Sequence, residues 1–467
     1  MFPMHCCRLN HRIAPGHPLA GKRVYVPSMA NNATDLFAAS LRHLGIDACP
    51  TPPSSRRTLE LGSKCTNGDE CFPAKVTLGD FLRVTEMPDF DPARTVFLLP
   101  ISEGPCRFGQ YAFLLRKVMN DAGYQAVQIL SPSDENGYVG VGDIAGILMR
   151  SMWRSLVASD ILHKELLSIR PYELTPGAAD QAYQESLDDL SQTLASSCGK
   201  AACQLCVLAS AMLRARHRFQ QIPARFNART PLVGVVGEVF CRVNTFSNQN
   251  LVRKLEDHGA EIWMSNLAEF VEYCNVFEVE QLKRQNRRFS LAMLISRLRA
   301  HFQHTDALAL LEPFRDDFLG YEEPSAEELV RLARPYLPSE GVIGEMVLSI
   351  GKAIYLAHKG ADGIVDISPF TCMNGIVSQA IYPQLSRDLG GVPIRNFFFD
   401  GTELDLDREL GIFLELVHAY REKKRWPRRY PDRFAELRPE YAFVERWKPS
   451  DHLIQTEDAG GILYQDE

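Results

Sequence analysis

TVFLLPISEGPCRFGQYAFLLRKVM, residues 95–119, decides the fold. Its opening TVFLL is the short continuous apolar run of a strand buried on both faces. Pro100, Gly104 and Pro105 break that run, and the apolar spacing after Arg107 is helical. YQAVQIL (124–130) follows as a second strand-like run and completes a strand, helix, strand unit. The same order recurs along the chain. KRVYVPSM (22–29) leads through DLFAASLRHLG to IDAC, and PLVGVVGEVF (231–240) leads through NQNLVRKLEDHG to AEIWMS. GIVDISPF (363–370) precedes a helix after Met373, and VPIRNFFFDG (392–401) precedes a helix starting near Leu404. The repetition predicts an α/β protein of multiple subdomains with open parallel sheets, in which ligands gather at the carboxyl ends of strands.

Between these units the period is helical from about 140 to 225, which predicts a substantial helical middle region. The expected organisation is an N-terminal extension (1–21), a first α/β cysteine-bearing domain (22–140) and a helical connection (141–229). A second α/β domain with a helical insertion (230–340), a C-terminal α/β cysteine-bearing unit (341–425) and a C-terminal extension (426–467) follow.

Four cysteines occupy glycine- and proline-punctuated loops of this framework. Cys65 and Cys71 share KCTNGDEC, Cys106 lies in PISEGPCRFGQY and Cys372 in VDISPFTCMNG. Cys106 and Cys372 each fall between a strand and a helix, where the free amides and field of a helix amino terminus favour thiolate. Gly104, Pro105 and Gly375 permit close turns there. Four thiolates from distant loops suit either zinc or a cubane iron-sulfur cluster, and spacing alone does not choose. The repeated CxxC pairs of structural zinc are absent among these four, and a dispersed set better suits a cluster at a domain junction.

The remaining cysteines read differently. Cys203 and Cys206 form a literal CxxC beside Cys198 on a strongly helical stretch, which reads as packing on one helical face or, alternatively, as a dithiol or subsidiary cluster site. Cys6 and Cys7 are adjacent near the amino terminus, and Cys49, Cys241 and Cys274 sit in or beside apolar elements as core thiols. GEVFCRVN sets Glu238, Arg242 and Asn244 just beyond the strand LVGVV, which makes Glu238 and Arg242 the candidate catalytic groups for holding a substrate. Gly234 and Gly237 form only part of a nucleotide-binding glycine pattern. Lys75 is either a charge compensating the cysteine site or a solvated helix residue. Glu403, Asp405 and Asp407 read as an acidic first helical turn, and His217 and His358 have no nucleophile paired with them in sequence.

With 467 residues, 45% of them hydrophobic, the chain can build more than one sizeable core. A net charge of -7 with both signs interspersed gives no reason to expect nucleic acid or anionic membrane as a partner. RQNRR (284–288) and REKKRWPRR (421–429) read as solvated helix faces. Twelve cysteines are too dilute for a disulfide scaffold, no signal peptide or spanning segment is legible, and the cytoplasm is the expected location.

Taken together, KCTNGDECFPAK, GPCRFGQY, GEVFCRVN and GADGIVDISPFTCMNG resemble the activase-associated branch of the 2-hydroxyacyl-CoA dehydratase D-component superfamily, related to benzoyl-CoA reductase subunits. The resemblance spans about residues 20 to 425. It implies α/β subdomains around a [4Fe-4S] cluster, with Cys71, Cys106 and Cys372 matching the superfamily's cluster cysteines and Cys65 the additional cysteine of this branch. It further implies a partner, an ATP-dependent activator with a sugar-kinase or Hsp70-like fold, that supplies a low-potential electron. The expected function is an iron-sulfur electron-transfer or reductase component, with an acyl-CoA as the expected substrate. The alternatives are a 2-hydroxyacyl-CoA dehydratase subunit paired with a homologous subunit and, in another class, a noncatalytic metal-stabilised scaffold.

Overall fold

In a computed structural model of the chain, residues 13–29, 31–101, 104, 106–132, 140–197, 201–338, 344–431 and 434 are described. The first α/β layer runs β1 (Arg23–Val26), α1 (Asn31–His43), β2 (Asp47–Pro50), α2 (Arg56–Lys64), α3 (Phe72–Thr85), β3 (Thr95–Leu98), α4 (Tyr111–Asp121) and β4 (Gln128–Leu130). Its strands form an all-parallel sheet in the order β2-β1-β3-β4. Period-two alternation divides its residues between two cores. Val24, Val26, Val96 and Leu98 pack toward Ala38 and Leu41 of α1, whereas Tyr25 and Phe97 pack toward Phe81 of α3 and Leu115 of α4.

Three helices form the middle of the chain: α5 (Ala145–Ile169), α6 (Ala178–Ser196) and α7 (Ala201–Gln220). The second layer runs β5 (Leu232–Gly237), α8 (Val239–Val243), α9 (Leu251–Asp257), β6 (Glu261–Met264), α10 (Ala268–Arg284), α11 (Leu291–Leu311), α12 (Ala326–Ala333), α13 (Glu345–His358), β7 (Gly363–Pro369), α14 (Met373–Asp388), β8 (Ile394–Phe399) and α15 (Leu406–Arg421). Its sheet is again all parallel, in the order β6-β5-β7-β8. The architecture is therefore α/β with open parallel sheets and a helical middle, as the recurring pattern predicts. The middle helices are more than a connection, since one apolar core joins Ala33 and Leu36 of α1, Leu162 and Leu166 of α5, Leu190 of α6, Met212 of α7 and Val233, Val235 and Val365 of the second sheet.

In each sheet the chain leaves a central strand toward one side and returns on the other, so the crevices fall between β1 and β3 and between β5 and β7. Asn244, fully buried at the end of α8, ties the carboxyl ends of the two sheets together. Its Nδ2 donates to Ser28 O just beyond β1 (3.2 Å) and to Ser54 Oγ beyond β2 (3.2 Å), while its Oδ1 accepts from Ser247 N (2.9 Å). The turn after β8 also presses on the first layer, where a Cβ on Gly401 would lie 2.9 Å from Leu59 of α2.

The basic run 421–429 differs from its expected solvated helix face. The helix ends at Arg421, and the chain beyond it is a strap in which Arg428 is buried and Lys424 half-buried while Lys423 and Arg425 stay exposed. Lys424 Nζ donates to Asp362 Oδ1 (2.6 Å) and Gly360 O (2.5 Å), and Arg428 pairs with buried Glu261 and donates from Nε to Tyr321 Oη (2.8 Å). Phe434 then packs on Tyr172 and Phe226. The anions lie more than 60 residues upstream, so local sequence gave no sign of them. RQNRR, by contrast, is exposed. Among the described residues no helix is long and apolar enough to cross a membrane.

Asn244→Ala removes both links between the sheets and leaves buried Ser28 O short of a donor. The expected cost is about 1–3 kcal/mol, read as a lower urea midpoint by circular dichroism; an unchanged midpoint would mean that packing alone joins the sheets.

Candidate functional site

Helix starts from both layers meet where the sheets face each other. Cys71 is the N-cap of α3, Cys106 the N-cap of the 3-10 turn Arg107–Gln110 that leads into α4, and Cys372 the N-cap of α14. All three have extended backbone, as N-caps do. Glu238 caps α8 at the end of β5, its carboxylate accepting from Phe240 N (3.0 Å) and Cys241 N (2.8 Å). The four converge on one locale. Glu238 bears electrostatically on Cys71, Cys106, Cys241 and Cys372; Cys71 bears on Cys106 and Cys241, and Cys372 on Cys241. Cys241, read from sequence as a core thiol, is indeed fully buried, but it lies directly behind this group.

Local backbone explains how the loops deliver these side chains. Gly237 holds φ of +117° and a Cβ there would sit 2.2 Å from Ile367 O, so only glycine lets β5 end flush against β7. Gly234 is enclosed likewise by Leu356 and Ile364, which gives both glycines a packing role in place of a phosphate-binding one. Gly375 brings the first turn of α14 against Ser368, where a Cβ would meet Oγ at 2.6 Å. Thr371, immediately before Cys372, holds φ of +66°, a strained left-handed conformation for a β-branched residue.

Burial decides the protonation of the group. The amides of Ala74, Phe108 and Asn374 with Gly375 favour thiolate at Cys71, Cys106 and Cys372, without completing capping hydrogen bonds. Loss of water outweighs them, and the nearby carboxyls add to it. Cys71 is pushed up, Cys106 up to about 11 although that residue reaches solvent, and Cys372 higher still. The helix termini alone therefore do not make thiolates here, contrary to the expectation from their position. Glu238 is raised by its own burial, and Glu345 rises to about 8 through burial and then the Glu238 charge. Such a gathering of acidic groups reaches its charged form only with a cationic centre among them.

Two members of the site escaped the sequence reading. Tyr111 Oη lies 2.7 Å from Cys71 Sγ and shares a hydrogen bond with it. Glu345, at the start of α13, accepts from Val239 N (3.2 Å) and bears on Cys106 and Cys372. A helix-start glutamate after glycine, and a tyrosine five residues beyond a cysteine, carry no signal stronger than ordinary helix chemistry. Arg242 is buried behind Glu238, with Nη1 donating to Gly237 O (3.0 Å) and Nη2 to Asn266 O (3.4 Å). Its Nε and Asn374 Oδ1 are buried without partners. With Ser265, Glu269 and Glu345, Arg242 lines a cavity with room for about a water molecule.

Cys65 stands at the C-cap of α2, half-buried against the apolar cluster that holds Cys71 and Phe108. The charge of Lys75 bears on Asp400. Glu403 pairs with Arg56, Asp405 caps α15 and Asp407 pairs with Lys254, so that acidic turn is structural. His358 stacks near Trp426, and its burial lowers it to about 4. Cys203 is disulfide-bonded and Cys206 carries an exposed free thiol, so the two do not close on each other. Cys6, Cys7 and Cys198 lie outside the described residues.

Soft sulfur donors with nearby amide N–H groups fit an iron-sulfur cluster. Among the described residues no three His, Cys, Asp or Glu side chains crowd at the spacing of a single metal ion, which bears on single ions and not on a wider cluster. No family model and no curated protein matches this chain.

Proposed function

We propose that Cys71, Cys106 and Cys372 hold a [4Fe-4S] cluster, and that the chain is a cytoplasmic electron-transfer or reductase component served by an ATP-dependent activator. The observation that carries this reading is the meeting of three helix starts with cysteine at the N-cap position, from both parallel layers, around Glu238 and Glu345. When bound, the cluster would supply one-electron transfer at a low potential. The protein's own groups would set the conditions. Tyr111 hydrogen-bonds the Cys71 sulfur, and the helix amides favour negative charge on all three sulfurs. Arg242 and Glu238 position whatever occupies the crevice, while Glu345 can hold a proton on its carboxyl at neutral pH.

Three converging thiolates leave a fourth position for Cys65, as ligand or gate, or for a small molecule. An acyl-CoA thioester is the substrate class that the sequence resemblance suggests, with a homologous subunit as a further partner. Exposure of Cys106 supports approach of a partner or substrate from that side.

Anaerobically purified protein is expected to contain iron and sulfide in equal amounts and to give an electron paramagnetic resonance signal on reduction. Cys71→Ser, Cys106→Ser and Cys372→Ser should each abolish or strongly alter that signal, whereas Cys274→Ser should leave it intact. Stoichiometric zinc without iron after anaerobic reconstitution would refute the assignment. Cluster reduction with activator, ATP and reductant, tested with a panel of acyl-CoA compounds, separates the functions: turnover indicates the enzyme, reduction alone a carrier, and no reduction a scaffold.

Tyr111→Phe should retain iron but lower the reduction potential by roughly 20–60 mV, the equivalent of one hydrogen bond of about 0.5–1.5 kcal/mol to sulfur. Spectroelectrochemical titration of variant and wild type reads this directly; equal potentials would mean that Tyr111 serves packing only.

A further inference from the structure

Helix α11 buries one face and leaves the other bare. Met293, Ser296, Asp306 and Leu310 turn inward, and Asp306 accepts from Arg150 (2.8 and 2.9 Å) and Arg154 (2.8 and 3.1 Å) of α5. These paired contacts fix the rotation of α11, so its outward face is set and is not slack packing. On that face Leu291, Leu294, Ile295, Leu298 and Phe302 follow the three- and four-residue spacing of a helix-pairing seam, with the Arg150 guanidinium over one side of the Phe302 ring. All are exposed, Leu291 by 71% and Phe302 by 48%. The seam runs about 17 Å at 1.5 Å per residue, and a continuous apolar patch of this kind is uncommon on the surface of a lone chain.

Charge along the seam changes sign from end to end. Arg284, Arg287 and Arg288 are exposed at its amino-terminal end, and Glu312 and Asp316 at its carboxyl-terminal end. Among the described residues Glu312 is engaged by its exposed neighbour Arg315 alone. A uniformly acidic or basic partner matches one end and repels the other. A second copy turned end for end matches both, and antiparallel helix dipoles favour the same arrangement.

We propose that a second copy of this chain covers α11, through an antiparallel two-fold pairing of the two α11 helices centred near residue 300. In that register Leu298 meets the partner's Phe302, Ile295 meets the partner's Thr305, and Arg288 faces the partner's Glu312. The remaining exposed positions at the centre carry Arg297, His301 and His304, while Arg299 is already paired with Glu278 on its own chain. The pairing stands apart from the cysteine site and does not depend on its chemistry.

Sedimentation velocity on the full chain should show a concentration-dependent dimer. Leu298→Asp, at an exposed position, should give a monomer with unchanged circular dichroism. Arg288→Glu and Glu312→Arg should each weaken the dimer by ~10-fold or more, because each sets like charges face to face twice. The double variant should return to within a few-fold of wild type, a rescue that a merely structural role of either residue cannot produce. A monomer at every concentration, a dimer that survives Leu298→Asp, or a double variant as weak as the singles would overturn the proposal, as would a different protein occupying this face on a monomeric chain.

Discussion

The side-chain amide of Asn244 is the point on which the arrangement turns. Parallel sheets send every strand out at the same edge, so two such sheets create a site only if those edges face each other. Asn244 leaves the second layer at the end of α8 and spends its amide on Ser28 O and Ser54 Oγ of the first. A hydrogen-bonded contact so close to the strand ends holds the two crevices against each other, above the apolar core that the layers share. The helices that start there, α3, α4, α8 and α14, inherit their convergence from it.

Within that convergence the balance of forces is unusual for cysteines at helix starts. A helix terminus contributes a fraction of a charge near its first turn, an effect of about 0.3–1 kcal/mol at exposed sites. Removing a thiolate from water costs more than that, and the carboxyls of Glu238 and Glu345 add repulsion. The fold thus presents sulfur in protonated form, with amides already placed for the ionised one. Arg242, buried behind Glu238, is a positive charge that offsets part of the acidity without reaching solvent.

The eight strands were legible because buried parallel strands are short apolar runs ended by glycine, proline or a polar residue, a pattern carried wholly by neighbours in sequence. Cys106 and Cys372 could be placed for the same reason, each standing between such a run and a helical repeat. Cys71 required knowledge that FPAK starts a helix, which Pro73 in its first turn signals. Glu345 and Tyr111 were hidden because their importance comes from sites 106 and 40 residues away. The strap at 424–431 was misread for a similar reason: a run of lysines and arginines looks solvated until its anions, Asp362 and Glu261, are known to be buried.

That strap also orders events during synthesis. Until Lys424 and Arg428 leave the ribosome, Asp362 and Glu261 are anions at the amino-terminal ends of β7 and β6 without their cations, and the second sheet is electrostatically incomplete. The strands of the first layer emerge by residue 130, and α1 gains its packing partners when α5 and α6 follow. The second becomes self-consistent only at the end of the chain. Cys71 and Cys106 therefore leave the ribosome well before Cys372, and any cofactor held by all three belongs to a late stage of maturation.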